Sequence, residues 1–136
     1  MKLEEISIEK IITDLKRLAI LNSNFIRHIG LFGSILYKSL SDVHDVDVLI
    51  LYSGIDFKDL KTIIRNTPLL LSTYEAYLNV SYIKSDKKTN DPPGYHFILM
   101  PIDNPCWEFL KNHNCKIRYL TKPFKIEIEE PMLIPY

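Results

Sequence analysis

Asp45 and Asp47 are the side chains of this sequence best placed to do chemistry. They open the run Asp45-Val46-Asp47-Val48-Leu49-Ile50-Leu51, and strand side chains alternate with period two, so both carboxylates leave one face. The apolar residues that follow read as a strand buried on both faces. Two like charges beside such a core are costly unless something offsets them. A divalent cation is the natural partner, because hard ions prefer oxygen ligands. Just upstream stands Gly33-Ser34. Glycine permits a tight turn and a close approach of backbone to a phosphate. Ser34 adds a hydroxyl and opens a short helix, carrying Tyr37 and Lys38, whose free amides can bind a phosphate oxygen. Lys38 on its own reads as a solvated helix lysine. Without chemistry, the same residues would be a glycine turn and two exposed strand-end aspartates.

Spacing adds specificity to these residue types. Leu31-Phe32-Gly33-Ser34, ten residues, then Asp45-Val46-Asp47-Val48 resembles the hG[GS]…Dh[DE]h signature of the DNA polymerase β-type nucleotidyltransferase superfamily, and the small size points to its minimal branch. The resemblance covers residues 30–52 directly. It implies an α+β fold, a small mixed β-sheet backed by helices on one face, like a polymerase β palm. It also implies transfer of an NMP, AMP first, from ATP or another nucleoside triphosphate to a hydroxyl of a protein or small molecule. Asp45 and Asp47 would hold two Mg²⁺ about 4 Å apart, and Gly33, Ser34 and Lys38 would meet the triphosphate.

The same resemblance implies a third carboxylate on the next strand, which here reads Tyr77-Leu78-Asn79-Val80-Ser81-Tyr82-Ile83. Asn79 or Ser81 takes the acidic position, and Asn79 could ligate metal only as a neutral oxygen. Glu75, Asp86 or Asp103 would serve only in another register. A degenerate protein that binds nucleotide or a partner without catalysis is therefore the alternative. The family's pairing with a helical protein, in some cases as a toxin–antitoxin component, implies such a partner, or a second copy, to hold the acceptor. His28, His96 and His113 form no ligand spacing, and His44 and Asp42 read as loop residues.

The elements that must position these groups follow the hydrophobic pattern. Ile8, Ile11, Ile12, Leu15, Leu18 and Ala19 give residues 7–22 one apolar helical face, with Ser7 as N-cap. Residues 25–32 and 45–52 are strands, and Asp56 caps a helix that runs until Pro68. Strands at 77–83 and 95–102, joined by the polar turn Asp91-Pro92-Pro93-Gly94, predict a hairpin. A short helix at 105–113 and short strands at 116–120 and 124–128 complete the reading.

One domain, 1–136, follows from the length, with a core at 7–103 and an extension at 104–136. Seventeen basic residues cancel seventeen acidic ones, which argues against long nucleic acid, since phosphate-backbone affinity requires a cationic surplus. The acidic N-terminus lacks a signal-peptide layout, no apolar run reaches membrane-spanning length, and Cys106 and Cys115 match no redox or zinc pattern. A reduced cytoplasmic protein without membrane contact is the expectation.

Overall fold

The computed structural model describes residues 8–39, 43, 45–67, 77–82, 94–112 and 117–120, the side chains of 77–79 excepted. It is a mixed α+β protein built on a five-stranded sheet. In chain order the elements are α1 (Ile8–Leu21), β1 (Ile26–Phe32), a 3₁₀ turn (Gly33–Leu36), β2 (Val46–Tyr52), α2 (Phe57–Arg65), β3 (Tyr77–Tyr82), β4 (Gly94–Pro101), α3 (Trp107–Asn112) and β5 (Arg118–Tyr119). The sheet order is β3-β4-β2-β1-β5. The sequence-assigned N-cap Ser7, residues 91–93 of the predicted turn, the strand at 124–128, and Asp42, His44, Glu75, Asp86, His113 and Cys115 lie outside the described residues.

Local chemistry accounts for the helices. Ile11, Leu15, Leu18 and Ala19 of α1 are buried at helical spacing, so tertiary burial of this face stabilises the helix. Asp56 begins α2 in extended conformation and its carboxylate accepts the Asp59 amide at 2.8 Å. That bond satisfies one of the orphan donors of the first turn.

The sheet carries apolar clusters on both faces. Val46, Val48, Ile50 and Tyr52 of β2 pack with Ile11, Leu15, Leu60 and Ile64, so α1 and α2 share one face. The alternate residues Leu49 and Leu51 pack with Phe32, Ile98, Met100, Ile117 and Leu110 of α3 on the other. Helices confined to one face were expected; α3 covers part of the second face because Leu110 is fully buried there. No described helix is long and apolar enough to cross a membrane.

Two further expectations change. The helix opening at Ser34 is a single 3₁₀ turn ending at Leu36, in which the Ser34 carbonyl accepts the amides of both Tyr37 (3.2 Å) and Lys38 (2.9 Å). Lys38 lies just beyond the turn, exposed, and its i+4→i bond to Ser34 is not extended into a longer helix. The predicted hairpin is replaced by parallel pairing: β4 runs parallel to β3 and also to β2. The turn residues at 91–94 signalled a reversal, but burial decided the strand's place. Every residue of β4 from Gly94 to Met100 is buried, and a strand apolar on both faces belongs inside a sheet, between two neighbours.

Candidate functional site

The strand order gives Asp47 its neighbours. On one side, antiparallel β1 places Phe32 opposite Asp47, so that the next residue, Gly33, begins its turn beside the carboxylate. On the other side, parallel β4 places His96 opposite Asp47. By alternation Asp47 shares its face with Leu49 and Leu51, and His96 shares that face with Ile98 and Met100. The site is thus at the C-terminal end of β1 and the N-terminal ends of β2 and β4.

Gly33 has φ +76°, the left-handed region that L-residues with a Cβ avoid. A Cβ built there would run into Oδ2 of Asp47. Backbone conformation favours glycine at this position, and a Cβ fits only if the Asp47 carboxylate moves. The other oxygen, Oδ1, lies 3.0 Å from His96 Nδ1. Asp47 retains 24% side-chain exposure, whereas His96 retains 9%. His96 Nε2 is buried without a hydrogen-bond partner among the described residues. Asp45, immediately before β2 and half-buried, accepts the Gly94 amide on Oδ1 at 3.1 Å.

These distances separate the sequence-assigned residues into those that meet and those that do not. Gly33 and Asp47 are in contact, and Asp45 adjoins them through the start of β2, tied to the first residue of β4. Ser34 follows Gly33 in the turn and is half-buried. Asn79 is aligned with His96, on the far side of β4 from Asp47. The strand assumed to neighbour the aspartates is therefore one place removed, and the position facing Asp47 belongs to His96. Asp103 follows the C-terminal end of β4, whereas Asp47 pairs with its N-terminal end, so Asp103 is at the opposite end of the strand. His96 went unassigned because sequence spacing measures separation along the chain, and register across the sheet is what joins it to Asp47. The legible signal was the run Tyr95–Met100, whose continuous apolar character, His96 aside, marks a central strand.

The donor set suits one hard divalent cation. A carboxylate offers about four lone-pair positions, of which Asp45 uses at least one on the Gly94 amide and Asp47 at least one on His96. Mg²⁺ characteristically takes one or two carboxylates and completes its shell with water and substrate phosphates. Among the described residues, no group of three or more His, Cys, Asp or Glu side chains converges as a metal site.

No protein-family model, curated protein or solved structure matches this chain.

Proposed function

We propose that this chain binds a nucleoside triphosphate with Mg²⁺ and transfers its NMP, AMP first, to a hydroxyl of a protein or small-molecule acceptor. The observation that carries this reading is the seating of the Gly33 backbone, at positive φ, directly against the Asp47 carboxylate. It sets a sharp Gly-Ser turn beside one of the two motif carboxylates. Gly33 and Ser34 would receive the triphosphate and Asp45 and Asp47 would hold Mg²⁺. When bound, the ion supplies charge neutralisation and Lewis acidity at the phosphates. The acceptor hydroxyl oxygen would attack the α-phosphorus, its proton passing to solvent, as the bond to the α–β bridging oxygen breaks and pyrophosphate leaves with the electron pair. Lys38, exposed beyond the turn, would add a cationic contact to the departing phosphates.

A second reading is favoured by one specific observation: the residue facing Asp47 across β2 and β4 is a histidine. With two carboxylates the site holds less negative charge than three would supply, and Mg²⁺-nucleotide binding without transfer follows. Incubation with α-labelled ATP, Mg²⁺ and total cell protein, with pyrophosphate release followed in parallel, separates the two. Labelled acceptor that disappears with Asp47→Asn supports transfer. Mg²⁺-dependent ATP binding with no pyrophosphate supports the second reading, and no Mg²⁺-dependent binding removes both.

A further inference from the structure

We propose that His96 is the positioning residue of the site: its Nδ1–H holds Asp47 in the orientation that ligates the cation. This rests on the reading of Asp47 as a cation ligand and adds a residue to which neither its motif nor its spacing assigns a role.

The terminal torsion of an aspartate is broad and roughly two-fold, so a half-exposed carboxylate ordinarily swings. Asp47 is constrained at both oxygens. The Gly33 backbone closes on Oδ2, and His96 Nδ1 stands 3.0 Å from Oδ1. His96 can act as a fixed point because it sits in the interior of a two-sided strand, only 7% exposed, between Tyr95 and Phe97, which stack with ring centroids 5.7 Å apart on the opposite face. The carboxylate it faces remains open to solvent. A buried donor on a partly exposed acceptor can orient a metal-ligating carboxylate, and removing such a partner lowers metal affinity about 10–100-fold. A proton on Nδ1 defines the role: the nitrogen donates to Asp47, the carboxylate keeps its charge, and its remaining lone pairs are turned toward the opening.

A histidine that merely fills the core would behave differently. In that case an apolar replacement of similar bulk would serve at least as well as a polar one, since an unpartnered buried amide group is costly. The positioning role reverses that order. Asparagine carries an amide nitrogen where histidine carries Nδ1, so His96→Asn retains a donor toward Asp47, and His96→Leu retains only volume.

The test uses the full chain with Mn²⁺ alone as probe. Free Mn²⁺ is measured by electron paramagnetic resonance during titration of wild type, His96→Asn and His96→Leu. The melting temperature of each is recorded, and ¹⁵N NMR of the imidazole reads the protonated nitrogen. The expected result is a proton on Nδ1 of His96, a 10–100-fold weaker Mn²⁺ affinity in His96→Leu, and recovery of most of that loss in His96→Asn irrespective of melting temperature. Wild-type affinity in a folded His96→Leu, an affinity order that follows melting temperature, or a bare Nδ1 would overturn the role of His96 while leaving Asp47 as a ligand. Wild type that binds no Mn²⁺ would instead overturn the underlying reading of Asp47, and the proposal with it. Should His96→Leu fail to fold, the imidazole spectrum and the Asn variant still decide: a bare Nδ1, or a folded Asn variant as weak as Asp47→Asn, sinks it.

Discussion

Replacing Gly33 by alanine should cost more than the backbone alone explains, and Gly54 provides the internal measure. Both glycines adopt nearly the same conformation, φ +76° and +77°, so both alanine variants incur the left-handed penalty of roughly 1–2 kcal/mol. They differ in what the new methyl meets. At Gly54 the nearest atoms are the Asn24 carbonyl oxygen at 3.9 Å and Phe25 Cδ1 at 4.0 Å, ordinary contact. At Gly33 the methyl collides with Asp47 Oδ2, and Asp47 Cγ lies only 3.3 Å away. The carboxylate must turn away about its broad terminal torsion, at little cost of its own, and the hydrogen bond to His96 contributes about 0.5–1.5 kcal/mol when lost. Gly33→Ala is thus expected to destabilise by about 1.5–3.5 kcal/mol and Gly54→Ala by about 1–2 kcal/mol. Urea unfolding followed by circular dichroism measures both, with the slope checked for constancy. In an Asp47→Ala background the excess at Gly33 should vanish, because the colliding atom is gone. Equal losses at the two glycines, or an excess that survives Asp47→Ala, would refute the claim that the turn is seated on this carboxylate.

Four further outcomes are open to direct measurement. Asp47→Asn should abolish NMP transfer and leave the circular dichroism spectrum and melting curve near wild type, since the amide occupies the same volume at a partly exposed site. Asp56→Ala should cost about 1 kcal/mol in urea unfolding through loss of the α2 cap. Burial lowers the His28 pKa below its usual 6.5. Stability is then present above 6.5 and lost as pH falls from 6.5 through the lowered folded value, and His28→Gln should flatten that acid slope in pH-dependent melting. Tyr52 is shifted the opposite way, from 10.0 to about 12, by burial first and then by Tyr82, Asp56 and Asp103. Its folded form holds the proton longer than the unfolded chain, so stability should fall as pH rises from 10 toward 12, and Tyr52→Phe should remove that loss.

The elements with one strong local signal were legible in the sequence. The apolar face of α1, the Asp56 cap and the two-sided burial of β2 each depend on nearest neighbours along the chain, and each is present. What depended on the sheet was not. The Asp-Pro-Pro-Gly signal says that the chain turns, but it does not say which strand it next pairs with. Insertion of β4 between β3 and β2 was decided by tertiary burial. The consequence for the site is direct. Gly33, Asp45 and Asp47 were readable because they lie within one motif, whereas His96 lies 49 residues from Asp47 and joins it only through strand register. Asn79 was named because the resemblance implies a third carboxylate on the next strand in sequence, and the crossover sets that strand one place away from β2.

Calorimetric titration of the chain with ATP and with GTP, with and without Mg²⁺, beside the double variant Asp45→Asn/Asp47→Asn, tests the central claim most directly. Heat of nucleotide binding that requires Mg²⁺ and both aspartates is the predicted result. Binding that persists in the double variant or without Mg²⁺, or no binding by the wild type, would contradict it.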